Sequence, residues 1–164
     1  MYGITAFKSF IWNGFLNKIP GHPRKSVSGR LRRYLGCRLL ASATQTSVLA
    51  QKLDLRGFNV SIGANSGLGY DCLVMTGASY IQIGSGVTMG SRVMLICNSH
   101  VFYEEDGYWH EELISKPIII LDDCFIGSGA IVLGGVTIGS RSIIGAGSVV
   151  TKDVPPNTFT AGVP

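Results

Sequence analysis

The stretch from Ile120 to Pro155 reads in blocks of six: ILDDCF, IGSGAI, VLGGVT, IGSRSI, IGAGSV and VTKDVP. Each block opens on Ile or Val, at Ile120, Ile126, Val132, Ile138, Ile144 and Val150. The fifth place is small or β-branched throughout, at Cys124, Ala130, Val136, Ser142, Ser148 and Val154. A period of six fits neither the helical repeat nor plain strand alternation. It is the signature of a parallel β-helix, in which each block is one short strand and a corner. The 22 glycines of the 164-residue chain suit a fold that turns every few residues.

A second series precedes it. IGANSG, LGYDCL and VMTGAS run from residue 62, slip by three residues through Tyr80–Gln82, and resume as IGSGVT, MGSRVM and LICNSH. Its fifth places are Ser66, Cys72, Ala78, Val87, Val93 and Ser99. Three hexads make one triangular coil, and coils stack at about 4.8 Å like any paired strands. Between Val101 and Lys116 the repeat stops, and FYEEDGYWHEELISK is acidic and aromatic. An insertion that lets the repeat resume reads as a projecting loop, here 102–116, and such loops commonly lie on the binding face.

The chain divides into a basic helical arm or cap, 1–49, and a β-helix domain, 50–164. Residues 1–56 carry ten Lys/Arg against Asp54 alone, whereas residues 57–164 carry four against nine Asp/Glu. In the arm, Ile4, Phe7, Ile11, Phe15 and Ile19 predict an amphipathic helix over 4–19, ended by Pro20 and Gly21. A second helix is expected over about 28–42, with Leu31, Leu35 and Leu39 on one face and Arg30, Arg32, Arg33 and Arg38 crowded around it. Such an arm reads first as a cap on the open end of the β-helix, since that end is an exposed strand edge. A basic helix is also a candidate for contact with an anionic membrane surface. Nucleic acid is not expected, because the arm holds no recognisable binding motif.

No run approaches the roughly 18 apolar residues of a membrane span, and the arm lacks a signal-peptide core. The four cysteines, at 37, 72, 97 and 124, form no C-x-x-C pair. They read as reduced thiols in a cytoplasmic protein, which could lie peripherally at the inner membrane surface, and not as a disulfide framework or metal site. The chain ends on Pro164 without a further cap, which implies that the natural chain continues.

For chemistry the first residue is His100, where rigid coil passes into the loop; its ordinary pKa suits a general base. His22 in the arm and His110 in the loop are of the same residue type, and spacing does not separate the three.

The run from Asn98 to Pro164 resembles the hexapeptide-repeat acyltransferases, in particular the sugar O-acetyltransferase and serine acetyltransferase-like branch. The marks are a His followed by a loop, then KPI, FIGSGAIVLGGVTIG, IGAGSVVTKDVPP and the closing AGVP. With the earlier hexads, the resemblance covers about 100 residues. It implies a left-handed β-helix, a homotrimer and acetyl-CoA as co-substrate, bound in the groove between subunits. It makes His100 the general base that frees an acceptor hydroxyl for direct attack on the thioester. By motif, Ser128 presents a backbone N–H to the thioester carbonyl, and Ala146, Thr151 and Lys152 line the pantetheine and phosphate end. Tyr70 and Asp71, with Asp106, Trp109 and His110 in the loop, match acceptor contacts more loosely. Phe102, Tyr103 and Tyr108 are equally suited to a sugar face or to a neighbouring subunit. Glu104, Glu105, Asp106 and Asp71 are the carboxylates that could hold the other nitrogen of His100.

The acceptor implied is a sugar or polysaccharide-precursor hydroxyl; a sugar amine, serine or an antibiotic would be alternatives. A zinc-dependent γ-type carbonic anhydrase shares the fold but needs three converging imidazoles, and no metal is expected here. A non-catalytic scaffold would not need His100 or TKD. An acyl-enzyme on Cys97 is disfavoured by its apolar neighbours Leu95 and Ile96, which raise a thiol pKa.

Overall fold

The structure is a computed structural model that describes residues 2–21, 25–44, 46–103 and 108–163, with side chains throughout except at 2, 3, 5, 102, 103 and 108–111. His22, Glu104, Glu105 and Asp106 lie outside the described residues, as do the side chains of Trp109 and His110.

Two helices come first, α1 (Tyr2–Gly14) and α2 (Val27–Cys37), with a 3-10 turn at Leu16–Lys18 between them. Coiling then begins at Ser42, inside the segment that the sequence sets off as the arm. The first coil holds β1 (Ser42–Ala43), β2 (Val48–Leu49) and β3 (Asp54–Leu55). The second holds β4 (Val60–Ile62), β5 (Gly67–Leu68) and β6 (Leu73–Met75); the third holds β7 (Ile81–Ile83), β8 (Thr88–Met89) and β9 (Met94–Ile96). There the chain leaves the prism as an antiparallel hairpin, β10 (Asn98–Tyr103) and β11 (Tyr108–Ser115). It returns with β12 (Ile118–Ile120), β13 (Phe125–Ile126) and β14 (Ile131–Leu133), then β15 (Thr137–Ile138), β16 (Ile143–Ile144) and β17 (Val149–Val150). A last strand, β18 (Phe159–Thr160), opens a partial sixth coil.

Corresponding strands pair in parallel into three faces. The first face is β1-β4-β7-β12-β15, the second β2-β5-β8-β13-β16-β18, and the third β3-β6-β9-β14-β17. This is a left-handed parallel β-helix. The hexad dictates its core. Ile120, Ile126, Val132, Ile138 and Ile144 are fully buried, with Val150 close behind, and the six fifth-place residues from Cys124 to Val154 are buried as well. Corners take one residue in the left-handed region, among them Asn65, Asp71, Asp123 and Asn157, residue types that tolerate it. Gly127 is needed for a different reason: a Cβ there would lie 2.5 Å from the backbone nitrogen of Ala146 in the next coil.

Two of the earlier fifth places do not point inward. Ala78 and Ser99 are exposed, and Thr76 and Cys97 fill the core positions instead. The cause is local. Both lie at the edge between the third and first faces, where the three-residue slip and the hairpin fall one coil apart. Ser115 at the hairpin's base accepts a hydrogen bond from Ala78 N–H at 3.2 Å, and Lys116 N–H donates to Cys97 O at 2.8 Å. The slip therefore makes the seat on which the hairpin stands. The expected loop is itself, in its described part, two paired strands, with a register shift between His100 and Phe102.

The arm caps the first coil, but only part of each expected stripe takes part: Ile11, Ile19 and Leu39 pack, partly buried, against the core. Trp12 and Leu16 are buried, while Ile4, Phe7 and Phe15 are more than 60% exposed. Trp12 Nε1 donates to Leu53 O at 3.0 Å, and the Asn17 side chain makes two further 3.0 Å bonds to the Leu53 backbone. In α2, capped by Ser26 Oγ accepting from Gly29 N–H at 3.0 Å, Leu31 and Leu35 are exposed. Its buried side is Gly29, Arg32, Gly36 and Cys37. Gly36 is what lets α2 approach, since a Cβ there would lie 2.5 Å from the Trp12 ring. Arg32 leaves the basic face altogether. It is fully buried, donates to the carbonyls of Ile19 and Gly21, and ties the arm's turn to the prism. Its burial lowers its pKa.

Candidate functional site

The edge between the third and first faces carries the hairpin, and a cleft of about 340 Å³ opens at its base. Asn98, His100, Lys116 and Thr151 line it, over a floor that includes Leu133 and Gly134. Three coils contribute: β9 leads into His100, β14 into Gly134 and β17 into Thr151. His100 is exposed, and its backbone is held opposite Leu113 in the hairpin. A ring on a fixed backbone at a cleft rim can reach a bound hydroxyl without a large rearrangement.

Cys97 touches the same cleft but cannot act as its nucleophile. Burial pushes its thiol up to about 11, so the thiolate is scarce at neutral pH. Cys72 is raised to about 11 by burial as well, and all four cysteines are free and buried.

Lys152, next to Thr151, is exposed and lines a separate shallow cleft of about 230 Å³. The following carboxylate, Asp153, accepts from Thr137 N–H at 2.7 Å and so fixes this corner. His100, Thr151 and Lys152 thus share one edge of the prism.

Ser128 and Ala146 lie on another edge, between the second and third faces. They are exposed and one coil apart, joined by Gly147 N–H donating to Ser128 O at 2.9 Å. One coil earlier, Ser91 N–H donates to Ser128 Oγ at 3.2 Å. Ser128's own N–H has no backbone acceptor among the described residues, and the residue stacked on it, Ala146, has no side-chain acceptor to offer. With no side-chain acceptor at Ala146, this amide stays unpartnered on the corner. The motif singles out this N–H in the sequence; its lack of a partner is an absence that only the stacking register exposes.

Tyr70 and Asp71 belong to this same edge. Asp71 sits at φ +60° and pairs with Arg92 at 3.3 Å, a solvent-exposed pair. It is therefore not on the edge of His100 within one chain. Tyr70 is 41% exposed, with the Lys52 ammonium 5.5 Å from its ring centre, and it borders a cleft of about 650 Å³ between arm and prism. The hydrogen bond to Tyr70 raises the pKa of Lys52. At about 3.3 Å per residue, the third face separates the two edges by roughly 15 Å. One chain therefore holds both halves of the expected site without joining them.

Comparison with known proteins agrees with this architecture. The family model described as bacterial transferase hexapeptide (six repeats) matches residues 117–152. Over 108 residues the chain is 39% identical to the galactoside O-acetyltransferase of Escherichia coli, covering 66% of this chain and 52% of that protein. Over 144 residues it is 33% identical to a Staphylococcus aureus protein that bears an acetyltransferase name, covering 87% of this chain and 71% of the other. A crystal structure of a hexapeptide-repeat-containing acetyltransferase from Vibrio cholerae, complexed with acetyl coenzyme A, superposes with a TM-score of 0.72 at 25% identity, covering 98% of this chain and 83% of that one. The chain belongs to the hexapeptide-repeat acetyltransferase family. It spans about half the length of several curated relatives that it matches.

Proposed function

We propose that the protein is an acetyl-CoA-dependent O-acetyltransferase acting on a hydroxyl of a sugar or polysaccharide precursor. The observation that carries this is the cleft uniting His100 with Thr151, in a chain related to a galactoside O-acetyltransferase. His100 takes the proton of the acceptor hydroxyl as its oxygen bonds to the acetyl carbon. The carbon–sulfur bond then breaks, and the coenzyme leaves as a thiolate that receives the proton from the imidazolium. The unpartnered amide of Ser128 stabilises the developing oxyanion. Lys152 meets phosphate as an exposed point charge. Tyr70 and Asp71, with Asp106, Trp109 and His110 of the inserted segment 102–116, are the proposed acceptor contacts.

The working unit is a homotrimer. Two edges some 15 Å apart in one chain form one groove when the Ser128 edge of one subunit meets the His100 edge of the next. An apolar ladder favours such packing. Phe125, Ile143 and Phe159 stand in register on the second face and are 46%, 43% and 69% exposed. Free buried thiols agree with a cytoplasmic location.

The test is thiol release from acetyl-CoA across a panel of galactosides, glucosides, amino sugars and serine. Wild type is expected to turn over a sugar with a free hydroxyl, and His100→Ala to lose about 10²–10⁴-fold in turnover with an unchanged melting temperature. Undiminished transfer by His100→Ala would sink the mechanism, and a strict preference for an amine would move the acceptor class.

A further inference from the structure

We propose that the helical arm docks the protein on an anionic lipid bilayer. Both helices turn apolar side chains away from the prism. On α1 and just beyond it, Ile4, Phe7, Phe10 and Phe15 are 62–68% exposed; on α2, Val27 is 75% and Leu31 51% exposed. Phe10 and Phe15 meet edge to face at 5.6 Å, a preassembled aromatic pair in water. So many large apolar side chains left in water on one short arm mark an interaction site.

The outward setting is fixed by the inward one. Turning α1 to hide its phenylalanines would break the Trp12–Leu53 bond and the 2.8 Å bond from Lys8 Nζ to Leu39 O. Turning α2 would break Arg32's bonds to the carbonyls of Ile19 and Gly21. The stripes therefore await an external partner.

Charge selects the partner. The first acidic residue of the chain is Asp54, and nine Lys/Arg precede it. Arg30 on α2 and Arg38 at its C-terminal cap are exposed, and the Arg38 guanidinium stacks 4.3 Å from the Tyr34 ring, a pairing suited to the headgroup layer. A second copy meeting this surface arm to arm would place arginine against arginine, with no carboxylate in either arm to answer. A nucleic acid would leave the phenylalanines in water. An anionic bilayer satisfies both, with phosphate for the cations and acyl chains for the rings. At 13 residues α1 is about 20 Å long and lies in the interface without crossing. Among the described residues no helix is long and apolar enough to cross a membrane.

The test is sedimentation of the full chain with vesicles of phosphatidylcholine alone or mixed with phosphatidylglycerol. Acetyl transfer plays no part in this readout, so its failure leaves the proposed activity untouched. Binding is expected to the mixed vesicles and to weaken with salt. The double variant Phe7→Gln/Phe10→Gln should bind about tenfold more weakly, and Arg30→Gln/Arg38→Gln about fivefold more weakly per cation removed, with melting and native mass unchanged. Absence of binding to the mixed vesicles at low salt overturns the proposal. So does a change in native mass on Phe7→Gln/Phe10→Gln, which would mean that another copy covers the face.

Discussion

The prism and the arm both carry apolar residues at regular spacing, yet the spacing means opposite things in them. In the prism, Ile120, Ile126, Val132, Ile138 and Ile144 are the core, every one of them fully buried. In the arm, Ile4, Phe7 and Phe15 face out, as do Leu31 and Leu35. A hexad repeat is read by its own copies: each strand's neighbour is the same pattern one coil on, so period fixes both the face and what covers it. A helical stripe says only that something apolar belongs there. In the arm much of the packing is done by residues that no periodicity marks, among them Trp12, Gly29, Arg32 and Gly36, while Ile11, Ile19 and Leu39 of the expected stripes are only partly buried against the core.

The comparison can be broken where it claims most. Gly127→Val sets side-chain atoms against the backbone of the next coil and is expected to cost about 4 kcal/mol or more, read as a collapse of the thermal midpoint. A variant melting near wild type would mean that the coils are not so closely stacked. Gly36→Ala tests the arm's actual packing side. Crowding the buried Trp12 costs about 1–3 kcal/mol and improved helix propensity returns about 1 kcal/mol. Denaturant titration should show a net loss; a gain would mean that α2 does not lean on Trp12. Leu31→Ser, at the head of the sequence's own stripe, is expected to shift stability by less than about 0.5 kcal/mol. A loss of several kcal/mol would put that stripe back in the core.

The fold was legible because Gly, Ile and small residues recur at fixed offsets for steric reasons that act within one chain. The hairpin's position was legible from the interruption, although its two strands were not: YEEDGYWHEEL shows neither clean alternation nor a standard two-residue turn. The slip at Tyr80–Gln82 and the insertion after Val101 looked unrelated in sequence, and stacking puts them on one edge. For the site, residue identity and motif pointed to His100, Ser128, Ala146, Thr151 and Lys152. The division of these five between two edges depends on which hexad feeds which corner, and appears only once the strands are assigned to faces. Arg32 was misread because a buried arginine held by main-chain carbonyls leaves no local trace. Three more arginines, Arg30, Arg33 and Arg38, crowd its neighbourhood.

The division between edges makes the shared site the claim with most at stake. Two variants silence different edges: His100→Ala removes the base, and Ala146→Arg fills the exposed corner beside Ser128. Each alone should be inactive in thiol release from acetyl-CoA. Co-expressed and purified as mixed oligomers through two different tags, they should regain a measurable share of wild-type turnover, because some grooves then join an intact edge from each. Mixed oligomers as silent as either parent would place both edges of the working site in one chain and contradict the account.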